Sequence, residues 1–213
     1  IASIAARVMA GEPLSNFDLI DPQIDTFAVK EAVLPFARFP GVDTILGPEM
    51  RSTGEVMGSD KSFARAFLKA QLGAGTDLPT EGKVFLSIKD SDKTPMIVEA
   101  MQILADEGFD VLATRGTAKW LGDNGINSEI VNKVYEGRPN VVDNLKNGEI
   151  SLLFNTTEGV QAIEDSREIR SVALYDKIPY FTTAAGSHAA ALAIKSRKEG
   201  EIEVTSLQEA ALG

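Results

Sequence analysis

Thr114 and Thr117, separated by Arg115 and Gly116, follow the apolar run Val111-Leu112-Ala113 and precede a pattern that restarts as a helix through Trp120 and Leu121. A strand that ends in Thr-x-Gly-Thr and opens a helix presents free backbone N–H groups, two hydroxyls and the positive end of a helix dipole at one point. That is the chemistry of an anion site. Further along, Phe154-Asn155-Thr156-Thr157 closes another apolar run with nearly the same groups, and lysines stand at Lys89, Lys93 and Lys133. Hydroxyls, an amide and ammoniums gathered at one rim describe a pocket for a phosphate or a carboxylate. Taken singly, a threonine after a strand commonly caps or turns the chain, and a lysine is commonly solvated. The convergence of several strand ends is what points to a ligand.

Groups for catalysis are harder to assemble. His188 is the sole histidine and falls at the start of an Ala-rich helix pattern, where capping or packing is its expected role. No Ser-His-Asp set, no Gly-x-x-x-x-Gly-Lys-Ser/Thr loop and no Cys/His metal spacing is present in the sequence. Glu164, Asp165 and Glu168 lie together near the start of a helix, where the dipole favours acids whatever the function. Binding groups without an evident base describe a sensor rather than a reaction centre.

The elements that must position these residues follow a regular order from residue 83 onward. Strands are expected at Val84–Ile88, Asp110–Ala113, Ile130–Val134, Ser151–Phe154, Pro179–Phe181 and Glu201–Val204. Between them the spacing predicts helices at Lys93–Glu107, through Trp120 and Leu121, at Val141–Lys146, Ile163–Tyr175 and Ala184–Arg197, with a terminal helical turn. Alternating strands and helices mean an α/β fold with a mostly parallel sheet covered on both faces, and ligands in such sheets sit outside the carboxyl ends of the strands. The rim of Lys89, Lys93, Thr114, Thr117, Lys133, Asn155, Thr156 and Thr157 falls there, with Lys133 expected on the third strand.

Residues 1 to about 72 read differently. A short apolar helix pattern at Ile1–Met9 stops at Gly11 and Pro13, a strand is expected at Val29–Phe36, and a helix at Ser62–Leu72 carries Phe63, Ala66, Phe67 and Ala70 on one face. These pieces expose more apolar edge than they can cover, which suits a remnant of a larger domain. Gly73-Ala74-Gly75-Thr76-Asp77-Leu78-Pro79-Thr80-Glu81-Gly82 is the linker-like stretch. The division expected is a remnant over 1–75, a linker over 76–82 and an α/β domain over 83–213.

Composition bounds the function. The 213 residues carry a net charge of −10, which disfavours nucleic acid or an anionic membrane as partner. No run is long enough to span a bilayer, and Ile1–Met9 lacks the form of a signal peptide, so the start reads as a cut end. The absence of cysteine excludes a disulfide framework and a thiolate nucleophile and fits a reducing compartment.

Several segments resemble a known family. Phe39-Pro40-Gly41-Val42-Asp43, the stretch Leu46 to Gly58, Val131-Asn132-Lys133-Val134-Tyr135-Glu136-Gly137-Arg138-Pro139, and Asn155-Thr156-Thr157 with Ala162-Ile163-Glu164-Asp165-Ser166-Arg167 closely resemble the carboxy-terminal end of the large subunit of bacterial carbamoyl phosphate synthetase, in order and spacing. The resemblance covers essentially the whole chain. It implies that residues 1 to about 72 are the tail of an ATP-grasp unit whose ATP-binding loop and main metal ligands lie upstream. It also implies that residues from about 83 form a regulatory domain similar in fold to methylglyoxal synthase.

By the same resemblance a nucleotide effector, UMP or IMP, is held through its phosphate by Lys93, Thr114, Thr117, Lys133, Asn155, Thr156 and Thr157, with Ser87 and Ser166 as lesser candidates. Ornithine is implied at a second site by Glu31, Leu46, Tyr180 and Thr182, of which this chain holds only part. The intact enzyme would make carbamoyl phosphate from bicarbonate, glutamine nitrogen and two ATP, with Mg or Mn and K. It would act with a glutaminase small subunit as a cytoplasmic homo-oligomer of heterodimers, serving arginine and pyrimidine synthesis. No cofactor, metal or catalytic residue is implied for this portion itself. Close relatives carry a basic pair where this chain has Val160-Gln161, and Thr-His-Gly-Thr where it has Thr-Arg-Gly-Thr, so positive charge is lost at one place and regained at Arg115. The lysine at Lys133 favours a nucleotide over acetylglutamate. The other reading is a freestanding methylglyoxal-synthase-like lyase acting on a small phosphorylated substrate such as dihydroxyacetone phosphate. The Gly-Gly-Asp segment of those enzymes is missing, which argues against it.

Overall fold

A computed structural model describes residues 1–19, 25–33, 54–156, 160–206 and 208–209, with the backbone alone over 160–165. The sheet that carries the rim has five strands: β3 (Lys83–Ser87), β4 (Asp110–Ala113), β5 (Glu129–Ile130), β6 (Leu152–Asn155) and β7 (Tyr180–Phe181). All pairings are parallel and the order is β5-β4-β3-β6-β7. Their side chains alternate between two buried clusters, as the pleat requires. Val84, Leu86, Val111, Ala113, Leu152 and Phe154 enter one cluster; Phe85, Leu112 and Leu153 enter the other. Strands buried on both faces read as continuous apolar runs, which is why the three central ones are evident from sequence.

Helices supply the other half of each cluster. On the first face lie α3 (Pro95–Asp106), α4 (Arg115–Asp123) and α7 (Ala184–Lys198), through Ile97, Ala100, Met101, Leu104, Leu121 and the run Ala189 to Ile194. On the second lie α5 (Val141–Lys146) and α6 (Val160–Tyr175), through Val141, Val142, Leu145, Ile169 and Ala173. Local chemistry sets several starts. Pro95 opens α3, where a missing N–H costs nothing. The Asn140 side chain accepts from the Val142 N–H at 3.0 Å, and the Asp143 carboxylate accepts from the Asn140 N–H at 2.9 Å. Thr183 Oγ1 accepts from the Gly186 N–H at 3.0 Å to start α7.

The amino-terminal part contributes α1 (Ala2–Met9), none of whose residues is buried, an antiparallel hairpin of β1 (Phe27–Val33) and β2 (Gly54–Asp60), and α2 (Phe63–Gly73). Helix α2 lies against the hairpin on one side and α7 on the other. Phe67, Leu68 and Leu78 belong to the same apolar cluster as β3, α3 and α7, so Leu78, in the stretch expected to be a linker, is wholly buried. Arg197 ties this stretch to α7, donating to the Asp77 carboxylate at 2.6 Å and to the Leu78 carbonyl. A row of phenylalanine rings runs from the hairpin into the sheet: Phe27, Phe63, Phe67, Phe181 and Phe154, with successive centroids 6.2, 6.2, 6.3 and 5.9 Å apart. Phe27, Met57 and Phe63 leave apolar surface open at the outer end.

Two expected strands differ from the observed chain. The third is cut to Glu129–Ile130, because the Glu136 carboxylate accepts from the Lys133 N–H at 2.8 Å and turns Val134–Glu136 into a 3-10 helix. Gly137 then takes φ +109°, a conformation suited to glycine. Lys133 therefore follows the strand rather than lying on it. No strand forms among the described residues at Glu201–Val204; Arg65 Nη1 donates to the Glu201 carbonyl at 2.8 Å, and Ile202 packs on the first cluster. The second half of the strand expected at Val29–Phe36 lies outside the described residues, as do Phe39–Asp43 and Leu46–Thr53.

Candidate functional site

Strand order fixes where a ligand can enter. From β3 the chain leaves through α3 on the first face, and from neighbouring β6 it leaves through α6 on the second. The carboxyl ends of β3 and β6 therefore flank the topological switch point, where α/β sheets open a crevice. A cavity of about 540 Å³ lies there. It is lined by Ser87, Ile88 and Lys89 after β3, Thr114, Gly116 and Thr117 at the start of α4, Lys133 after β5, and Asn155 and Thr156 at the end of β6, with Asp90, Lys93, Tyr135 and Ser166 around them.

Thr114, Thr117, Asn155 and Thr156 are each at most 4% exposed, and their hydrogen bonds stitch the strand ends together. Thr117 Oγ1 accepts from the Ile88 N–H at 3.1 Å and from the Thr114 hydroxyl at 3.2 Å. Thr156 Oγ1 accepts from the Lys89 N–H at 3.1 Å, while its own N–H donates to the Ser87 carbonyl at 3.0 Å. No side chain caps α4, so the N–H groups of its first turn open toward the cavity beside Gly116. Hydroxyl, amide and dipole thus face one volume.

The cations stand at its mouth. Lys93 Nζ donates to the Asp90 carboxylate at 2.6 Å and to the Gly116 carbonyl at 3.3 Å. The hydrogen bond and charge of Lys93, with a contribution from Lys133, hold the Asp90 carboxyl below the usual carboxylate range. Asp90 and the Gly116 carbonyl thus hold Lys93 at the cavity wall, with one of its three ammonium hydrogens left over. Sequence reasoning missed Asp90, although the Asp90/Lys93 spacing of three was the available signal. Lys133 Nζ lies 5.8 Å from the centre of the Tyr135 ring. Tyr135, also missed, lines the cavity and is largely exposed.

Behind the pocket, the Asn155 side-chain Nδ2 donates to Ser166 Oγ at 3.2 Å and to the Tyr180 hydroxyl at 3.0 Å. Burial pushes the Tyr180 hydroxyl up, against the hydrogen bond from Asn155 and the charge and hydrogen bond of Arg170, so it stays protonated. The structure thus brings six of the seven expected anion-site residues, Lys93, Thr114, Thr117, Lys133, Asn155 and Thr156, to one cavity together with Ser87 and Ser166. Thr157 lies outside the described residues.

The second expected set is spread wider. Glu31 on β1 accepts from Gln71 Nε2 of α2 at 2.9 Å, and burial pushes its carboxyl up despite that bond. Tyr180 directs its hydroxyl to Asn155, and Thr182 is exposed between β7 and α7. Leu46 lies outside the described residues. His188 sits in α7 with Nε2 3.3 Å from the Glu99 carboxylate of α3. Glu168 pairs with Lys146 at 3.1 Å. Among the described residues no group of three or more His, Cys, Asp or Glu side chains comes together as a metal site, and no helix is long and apolar enough to cross a membrane.

Thr117 is the pivot of the pocket wall, and Thr117→Val keeps its shape while deleting its oxygen. The buried Ile88 N–H then loses its acceptor, a loss of about 1–3 kcal/mol. Urea denaturation should show the transition moved to lower denaturant; an unmoved midpoint would refute the structural role given to this hydroxyl.

Residues 96–182 match the MGS-like domain family. Along 98% of its length the chain is similar to proteins named carbamoyl phosphate synthase large chain: 55% identical to that of Rhizobium meliloti (strain 1021), 54% to that of Brucella suis biovar 1 and 50% to that of Haemophilus ducreyi. It spans 18–19% of the length of these curated relatives. The domain match runs from α3 to just past β7 and so takes in most of the pocket wall, and the similarity to the relatives covers 98% of the chain, beyond that domain. With its parallel sheet and the cavity at the switch point, the chain belongs to the carbamoyl phosphate synthase large chain family, as a carboxy-terminal portion that carries the MGS-like domain.

Proposed function

We propose that this chain is the effector-binding portion of a glutamine-dependent carbamoyl phosphate synthase large chain, and that its pocket holds the phosphate of a nucleoside monophosphate, UMP or IMP. The one observation that carries this reading is the cavity at the β3/β6 switch point, where Lys93, Thr114, Thr117, Lys133, Asn155 and Thr156 surround the uncapped start of α4. Donors outnumber acceptors there, and two ammoniums supply charge, which suits a phosphate dianion. The resemblance adds Thr157, which lies outside the described residues. In this reading the portion binds, and the catalytic steps belong to other parts of the whole protein.

In the whole protein, carbamoyl phosphate would be made from bicarbonate, glutamine nitrogen and two ATP with Mg or Mn and K, on residues outside this chain. A glutaminase small subunit and assembly into a homo-oligomer of heterodimers in the cytoplasm belong to the same proposal. Ornithine would bind between the hairpin and the sheet through Glu31, Leu46, Tyr180 and Thr182. Regulation then requires only that an effector favour one state of the enzyme over another by about 1–3 kcal/mol.

Calorimetric titration with UMP, and with IMP in parallel, tests the reading. Saturable binding at low salt that Lys133→Ala weakens by about tenfold or more is expected, because one charge-assisted contact is worth about 1.5–3 kcal/mol. Absence of heat with both nucleotides, or phosphate release from dihydroxyacetone phosphate by the chain, would overturn it.

A further inference from the structure

Asn155 has one side-chain NH2 group and two hydrogens on it, and both are committed: one to Ser166 on α6 and one to Tyr180 on β7. A phosphate is an acceptor and offers no hydrogen. To be held by this amide it must take a hydrogen that Tyr180 or Ser166 now receives. An anion that takes the hydrogen now given to Tyr180 therefore breaks the Asn155–Tyr180 bond.

Tyr180 is half of β7, a strand of two residues at the edge of the sheet, whose register sets Leu153 opposite Tyr180 and Phe154 opposite Phe181. The two strands are consequently two-faced. Asn155 and Tyr180 turn their polar groups to the pocket side, while Phe154 and Phe181 meet edge to face on the opposite side with ring planes 75° apart. Phe181 continues to Phe67 of α2, and Phe67 to Phe63 and to Phe27 of the hairpin. A short edge strand anchored by few bonds can shift, and close-packed rings pass a shift on rather than absorb it. The residue after β7, Thr182, leads directly into the Thr183 cap of α7, so β7 is pinned on that side as well.

Resting on the effector reading above, the geometry points to a mechanical relay: an anion that takes the Asn155 hydrogen now given to Tyr180 leaves that hydroxyl to Arg170 alone, and the loosened β7 carries the change through Phe181 and Phe67 to α2 and the β1/β2 hairpin. The relay is a competition for one hydrogen on one face of a strand pair, read out as ring packing on the other.

Amide hydrogen exchange on this chain tests it, with UMP as the probe. Saturating UMP is expected to speed exchange in α2 and the hairpin of the wild type. Tyr180→Phe, which keeps the ring and deletes the acceptor, should show the raised exchange without ligand and bind UMP about fivefold more tightly, since it no longer competes. Ser166→Ala removes the amide's other acceptor, on α6, and should leave the ligand-free hairpin exchanging as in the wild type. Phe67→Leu should bind UMP within about twofold of wild type, because it lies outside the pocket, yet UMP should no longer alter hairpin exchange. Unchanged UMP affinity and unchanged hairpin exchange in Tyr180→Phe, or a full UMP effect in Phe67→Leu, would overturn the relay while leaving the effector reading intact. A wild type that binds no UMP overturns both.

Discussion

Gly58→Ala is expected to unseat the amino-terminal hairpin from α2. Gly58 is a buried residue of β2, opposite Val29, and a methyl group there would stand 2.1 Å from the Ala66 carbonyl oxygen and 2.4 Å from the Ala70 backbone nitrogen. Both atoms are helix backbone, which cannot swing aside as a side chain would. Ala66 and Ala70 are themselves wholly buried, so the helix rests on the strand at the closest approach two backbones permit. Overpacking typically costs about 1–3 kcal/mol where neighbours can adjust, and here the main chain must move, so a loss at or above the top of that range is expected. Chemical denaturation of the variant should show it, and exchange of the β1 and β2 amides should rise before that of the parallel sheet. A variant as stable as the wild type would mean that α2 is not seated on this strand.

The second large effect concerns the pocket. Thr114→Ala with Lys133→Ala removes a hydroxyl from the start of α4 and an ammonium from the turn after β5, two groups on different segments that face one cavity. Each charge-assisted contact to a phosphate is worth about 1.5–3 kcal/mol, so together they should lower nucleotide affinity about a hundredfold or more. Measured on the full-length synthase, the nucleotide response should vanish while the rate without effector stays near that of the unaltered enzyme. An equal fall in the unregulated rate would speak against a purely regulatory pocket. Thr114 also donates to Thr117, but its loss leaves the Ile88 N–H bond to Thr117 in place, so the wall survives.

How far the sequence foretold this arrangement depends on where each residue lies. The central strands β3, β4 and β6 were legible because burial on both faces writes them as unbroken apolar runs, and their polar ends therefore stood out at Thr114 and Asn155. The edge was not. Ile130 to Val134 has the composition of a strand, but the carboxylate of Glu136 reaches back to the Lys133 N–H and converts the end into a turn. Glu201-Ile202-Glu203-Val204 alternates as a strand should, yet alternation cannot supply a partner, and Arg65 takes its carbonyl instead. Tyr180 shows a further limit: its place on a two-residue strand does not reveal that the Asn155 amide lies within reach, because that depends on the register with β6. Asp90 was hidden for a simpler reason, since an acid in an acidic chain draws no attention until its lysine is seen.

Leu78 gives the stretch 76–82 a meaning that its glycines and polar residues disguise. Because Phe67, Leu68 and Leu78 fill the same apolar cluster as β3, α3 and α7, cutting the chain here breaks a peptide bond without parting the halves, and removing the first half uncovers a socket. A chimaera joined at this stretch must match plug and socket together, so an MGS-like domain exchanged between relatives is expected to fold only when α2 and Leu78 come with it.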